Sequence, residues 1–296
     1  MNRADSSIFI GSKNMVPNPN NPLSKHFRQP AIYLKLPSGG AYWPESGIDL
    51  PVTGEIPVYP MTTKDEITLR TPDALLNGQG MVDVIHSCCP NIKNAWLMPS
   101  VDVDATLVAI RMASYGTDME ISSDCPQCKA NSTHSIDLSY IMVRFKMPNF
   151  SDTLDIDGLK IKLKPQEYFA VNKNSQIMFE EQRILQAISD DSVPEEVKTI
   201  KFNEHMKKLI ELNLESLANS TDYIETPEGS RVTNKEHIKD FFDNAPTKTI
   251  KIMRERLDAI AAEAAIPNVQ VQCEACDNTY SVGVEFNYTS FFDQGS

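Results

Sequence analysis

No stretch of about eighteen consecutive apolar residues occurs in this 296-residue chain, so nothing in it reads as a membrane-spanning helix. The opening "MNRADSSIFIGSKNMVPNPNNPLSKHFRQP" lacks the apolar run and cleavage pattern of a secretory signal, which points to synthesis in the cytoplasm. Basic charge is scarce as well. The 28 Lys and Arg face 40 Asp and Glu, and a net charge of −12 argues against a general nucleic-acid binder, because neutralising phosphates takes clustered cations. The densest basic run, His205-Met206-Lys207-Lys208 with Lys198 and Lys201 before it, is interleaved with Glu195, Glu196, Glu204 and Glu211 and reads as a solvated helix face. Catalytic signatures are missing too: there is no phosphate loop, Gly-x-Gly-x-x-Gly, Gly-x-Ser-x-Gly or His-Glu-x-x-His. The acid pairs Glu180-Glu181 and Asp190-Asp191 fall on helix or loop patterns as ordinary solvated charge. A protein that is not an enzyme is expected.

What is present is a soluble composition, 41% hydrophobic and 23% charged, long enough for one large domain or two ordinary ones. Residues 1–30, rich in Asn and Pro, read as an extended arm. "AIYLKLPSGGAYW" alternates apolar and polar residues into a Pro-Ser-Gly-Gly turn and reads as a strand that begins a hairpin. In "MTTKDEITLRTPDALLNG" Thr63 with Glu66 fits a capping box, and Thr71 before Pro72 fits the start of a short helix ending at Asn77-Gly78. Helices are then expected over "MVDVIHSCCPNI" and over "SVDVDATLVAIRMASYG", the latter with Val103, Leu107, Ile110 and Ser114 on one face and Gly116 as its stop. Asp157-Gly158 between two alternating stretches is a two-residue hairpin signal; a calcium loop is rejected there, because Thr153 and Lys164 would occupy positions that need carboxylates. Residues 165–266 read as mainly helical, helices with one break. One stripe runs through Ile177, Ile184, Leu185 and Ile188, and a second, opened by Pro194, through Met206, Leu209, Ile210, Leu214 and Leu217. Asn234 can cap a third helix, and Pro246 opens a fourth through Ile250, Met253, Leu257, Ile260 and Ala261. All these stripes read as core.

Six cysteines remain. Cys125-Pro-Gln-Cys128 and Cys273-Glu-Ala-Cys276, with 144 residues between them, each sit between two short strand-like stretches. A Cys-x-x-Cys turn presents two thiolates on one side of a tight loop, and two such knuckles supply a tetrahedral set, the pattern of a zinc ribbon. Disulfides or a redox pair are the competing reading. With Cys125, Cys128, Cys273 and Cys276 as ligands the zinc is structural, having no open position; His134 is a candidate substitute ligand, a surface histidine being the simpler reading. Cys88 and Cys89 read as buried packing. The fold class expected is α+β: an arm (1–30), a domain formed by residues 31–164 and 267–296 with a split zinc ribbon, and a helical insertion at 165–266.

The combination of "LKLPSGGAYW", "MTTKDEITLRTPDALLNG", "VDVDATLVAIRMASYG", the first knuckle, and a second knuckle followed by "VEFNYTSFF" resembles the baseplate hub proteins of T-even-type contractile-tailed phages. The resemblance covers about residues 31–140 and 267–296. It implies a minor hub subunit or hub-assembly factor, acting by protein contacts on other hub or tape-measure proteins, in the host cytoplasm during assembly and in the tail baseplate. A zinc-ribbon adaptor for nucleic acid or transcription machinery is the alternative, and a zinc hydrolase with an open coordination position a third. Candidate contact surfaces are the arm, the helical insertion and the tail, whose Phe286, Tyr288, Phe291 and Phe292 read first as completing the core.

Overall fold

A computed structural model describes residues 21–71, 78–188, 194–266, 268–284 and 291–292, with backbone only at 187 and 188. The helix expected from Thr71 and Pro72, most of the arm, and Phe286 and Tyr288 lie outside these residues. The architecture is α+β, as expected, with eight α-helices and four small sheets among the described residues.

The first core begins with β1 (Ile32–Lys35) and β2 (Glu55–Val58), paired antiparallel with Ile32 opposite Val58. The alternation of the sequence holds: Leu34 and Leu36 are buried and Tyr33 is exposed. A long loop over residues 36–54, rather than a tight turn, joins the strands. Asp102 holds that loop in place. Its fully buried carboxylate accepts hydrogen bonds from the Ser38 N–H (2.8 Å), the Ser38 hydroxyl (2.5 Å) and the Trp43 indole N–H (2.8 Å). Burial raises its pKa, against the pull of these donors.

Helix α1 (Thr63–Leu69) is capped one residue earlier than its sequence suggested. Thr62 and Asp65 form the capping box, because the Asp65 carboxylate also accepts from the Ser87 hydroxyl and pairs with Arg28 at 3.3 Å, contacts made across the fold. Helices α2 (Gln79–Cys88) and α3 (Ser100–Tyr115) follow, and Gly116, at φ 89°, stops α3. The single apolar face expected for α3 is too narrow: residues 105–111 are all buried, as in a helix enclosed on every side. Strands β3 (Asp118–Asp124) and β4 (Asn131–Asp137) and the short α4 (Leu138–Met142) close this core. Phe291 and Phe292 pack into it, and the Phe291 carbonyl accepts a hydrogen bond from Arg111.

The second core belongs to a four-stranded antiparallel sheet in the order β5 (Thr153–Ile156), β6 (Leu159–Leu163), β7 (Thr221–Glu225), β8 (Arg231–Val232). Asp157 and Gly158, at φ 53° and 86°, make the turn their sequence signalled. Strands β7 and β8 interrupt the mainly helical stretch 165–266: "TDYIE" is short, and the partner that makes it a strand is β6. That pairing also crosses the 164/165 boundary drawn from sequence. Helices α5 (Tyr168–Ile188), α6 (Glu195–Asn219), α7 (Lys235–Asn244) and α8 (Thr247–Ala264) complete the unit. Asn234 caps α7 through bonds from the Glu236 and His237 N–H groups. Ile238, Phe242, Met253 and Ile260 meet Ile161, Leu163 and Leu217 in this core, which fits the stripe expected for α8. The chain then returns through β9 (Val269–Gln272) and β10 (Thr279–Val282), with Val269 against the first core.

The stripes expected to be core on α5 and α6 are not all buried. Ile184, Met206 and Ile210 are 40%, 41% and 55% exposed, whereas Leu217 of the same stripe is buried in the second core. Conversely, Glu181 is buried rather than solvated. Its carboxylate lies 2.8 Å from His205 Nδ1 and 2.5 Å from Lys208 Nζ, so part of the basic run turns inward. Lys208, then His205, hold the Glu181 pKa below its usual range.

Candidate metal centre

The two cysteine knuckles are built alike, residue for residue. In the first, the Cys125 N–H donates to the Ala130 carbonyl and the Lys129 N–H to the Cys125 carbonyl, each at 2.9 Å. In the second, the Cys273 N–H donates to Asn278 and the Asp277 N–H to Cys273, again at 2.9 Å. Both turns close through a left-handed residue, Lys129 at φ 62° and Asp277 at φ 57°. The tightness of each turn aims backbone N–H groups at its first sulfur. The Cys128 and Gln127 N–H groups pull the Cys125 thiol down to about 6, and the Ala275 and Cys276 N–H groups lower Cys273. The Asn278 amide also points at Cys125 Sγ, at 3.8 Å. All four thiols cannot ionise side by side: at Cys276 the Asn278 backbone N–H favours the thiolate, but Cys128, burial, Cys273 and Cys125 outweigh it and push the thiol up to about 12.

The 144 residues between the pairs do not keep them apart. All four sulfurs lie within 4.8 Å of one another, with Cys125 to Cys276 at 3.7 Å and Cys128 to Cys273 at 3.6 Å. An ion about 2.3 Å from each of four sulfurs requires tetrahedral edges of about 3.8 Å, whereas a disulfide requires about 2.05 Å. The spacing therefore fits a thiophilic tetrahedral ion and not two disulfides; all four cysteines are free. Four sulfurs leave no open coordination position. Cys125 and Cys273 are buried and Cys128 is exposed, so the cluster has one side to solvent.

His134 is not part of the set. Its Nε2 is 3.2 Å from the Tyr280 hydroxyl, which also lies 2.8 Å from the Ser123 hydroxyl, so this tyrosine ties the β9–β10 hairpin to the β3–β4 hairpin. Tyr280 and Asn278 were missed in the sequence, where the only signal was their closeness to the second knuckle. Cys88 and Cys89 are fully buried in the first core, and burial pushes Cys88 up to about 12 and raises Cys89 well above the ordinary thiol range, which makes them inert packing. Burial likewise lowers the pKa of His86, whose Nε2 accepts from the Ala95 N–H at 2.9 Å, so its imidazole is neutral and structural.

A groove of about 1280 Å³ separates α5 and α6 from α8 and from Val284, beyond the second knuckle. Its lining is mainly apolar, through Met178, Phe179, Leu185, Leu209 and Leu257, with His205 opening onto it. His205 is committed to Glu181 through Nδ1, an arrangement that holds two helices together.

No curated protein matches this chain, and no solved structure does. The family described as T4 bacteriophage base plate protein does match, over residues 31–293, a span that takes in the helical stretch as well as both knuckles. With the α+β fold and the joined cysteine knuckles in place, that match over most of its length makes this chain a member of the T4 bacteriophage base plate protein family.

Proposed function

We propose that this protein is a minor subunit or assembly factor of the baseplate hub, acting through contacts with other hub or tape-measure proteins in the host cytoplasm and without catalysis. The observation that carries this reading is the family match over residues 31–293. The acidic charge of −12 favours protein over DNA as its ligand. Near the knuckles Lys129 is the one cation in the turn, which gives the nucleic-acid adaptor reading no basic face to work with. Co-expression with the hub and tape-measure proteins of the same phage, followed by pull-down at moderate salt, tests the proposal. Retention of a tail protein is expected, as is a gene deletion that leaves heads intact and tails unassembled. Normal baseplates in the deletion would overturn it.

The metal proposed for Cys125, Cys128, Cys273 and Cys276 is zinc, which accepts four thiolates in a tetrahedral set without redox chemistry. When bound, it supplies a structural cross-link between the two hairpins, on either side of the second core. The role suits a scaffold whose helical unit departs from and returns to the same place.

A further inference from the structure

The two knuckles share one backbone pattern, and the sulfurs repeat it: exchanging the knuckles turns the Cys125–Cys276 pair, at 3.7 Å, into the Cys273–Cys128 pair, at 3.6 Å. One side chain breaks this local two-fold likeness. Ala130 and Asn278 hold equivalent places, each carbonyl accepting the N–H of the first cysteine of its own knuckle at 2.9 Å. Ala130 ends at its methyl group, whereas the Asn278 amide nitrogen crosses to the other knuckle and lies 3.8 Å from Cys125 Sγ. The Asn278 backbone N–H also bonds the Cys276 sulfur. Asn278 thus contacts Cys273, Cys276 and Cys125, three of the four cysteines.

We propose that Asn278 is a positioning residue for the metal: it holds the Cys125 sulfur of one hairpin in the ligand set presented by the other and stabilises it as a thiolate. The inference rests on the four-cysteine metal reading given above. Four thiolates around a divalent ion leave two negative charges uncompensated, and Cys125 and Cys273 are buried, where water does little to offset them. An N–H aimed at the sulfur supplies part of what water cannot, as outer-shell donors do at other metal sites. The path of the chain adds a second reason. With 144 residues between the pairs, neither turn by itself sets its sulfurs against those of the other. Outside the ligand set Tyr280 joins the hairpins, through Ser123 at 2.8 Å and His134 at 3.2 Å, and at the sulfurs Asn278 joins them.

Zinc affinity of the full chain, measured by competition with a chromophoric chelator, tests the proposal. Loss of an outer-shell partner costs about 10–100-fold in metal affinity, so Asn278→Ala should weaken zinc binding about tenfold or more, with the circular dichroism of the loaded chain unchanged. Asn278→Asp keeps the shape of the side chain but exchanges its donor for a negative charge, and should weaken binding further. In the cobalt(II) form the sulfur-to-cobalt charge-transfer band should move in both variants while the bands of a tetrahedral four-sulfur set remain, a signature that a role in turn geometry alone would not produce. The local two-fold likeness supplies a rescue: Ala130→Asn in the Asn278→Ala background should aim an amide at Cys273 and recover most of the lost affinity. If Asn278→Ala fails to fold, the isosteric Asn278→Asp decides the question. Full affinity in Asn278→Asp, or a charge-transfer band that stays in place, would overturn the proposal and leave the four-cysteine site standing. An unsubstituted chain that binds no metal would overturn both.

Discussion

At the scale of single residues, the cysteine sulfurs and the buried carboxylates carry the most consequence. Cys273 lies at the centre of the second knuckle's hydrogen-bond pattern, and its sulfur faces Cys128 at 3.6 Å. If zinc is the fourfold ligand's ion, purified protein should hold about one zinc per chain by metal analysis, and Cys273→Ser should lose it. Because metal binding and local folding are one free energy, the same variant should expose both hairpins to proteolysis. A metal-free chain that folds fully would refute the site. Asp102 shows the other kind of decisive residue. Removing its carboxylate would orphan the Ser38 and Trp43 donors, and these lie in the "LKLPSGGAYW" stretch that, with the α3 sequence, carried the family resemblance.

At the scale of elements, the helical hairpin depends on one buried cluster. Glu181 on α5 is bound by His205 and Lys208 on α6, and with Lys173–Glu215 this fixes which turn of α5 meets which turn of α6. Its depressed pKa sets the sign of the pH response. The folded pKa lies below the ordinary 4.5, so the stabilisation is fully present above about pH 4.5 and is lost as pH falls through the folded value. Glu181→Gln should cost about 1–3 kcal/mol at neutral pH. The loss falls short of that for a fully buried pair because Lys208, 45% exposed, is screened by solvent. Chemical denaturation at a series of pH values should show the gap between wild type and variant closing below about pH 4.5. A gap that persists unchanged at lower pH would show that the carboxylate's charge is not what matters.

At the scale of the whole molecule, the path of the chain is its main structural fact. It builds one core, leaves after Phe145 to build another around the four-stranded sheet, touches the first again at Tyr168, and returns to it at Ile266 and Val269. We propose that the separable unit runs from about residue 148 to 265, since the β5–β6 hairpin shares a sheet with β7. Replacing 148–265 with a Gly/Ser linker should leave a folded, zinc-binding remainder. Replacing only 165–266 should give insoluble chain, because β6 would expose an unpaired edge and the apolar Ile161 and Leu163. Equal solubility of the two deletions would show that the sheet is not what unites the second unit. Among the described residues no helix is long and apolar enough to cross a membrane.

The features legible in the sequence were those set by local chemistry. The Cys-x-x-Cys turns needed only their own backbone to aim two sulfurs one way, Asp157-Gly158 needed only its left-handed φ angles, and Gly116, Asn234 and Pro246 ended or began helices by what their own atoms allow or forbid. Tertiary structure decided everything that depends on a distant partner. Thr62 took the cap from Thr63 because Arg28 and Ser87 reach Asp65; "TDYIE" became a strand because β6 was beside it. The stripes on α5 and α6 showed in the sequence that an apolar face exists, but an apolar face does not specify its cover. Burial is a property of what the rest of the chain delivers to a surface, and here the chain delivered Glu181 to His205 and left Met206 to solvent.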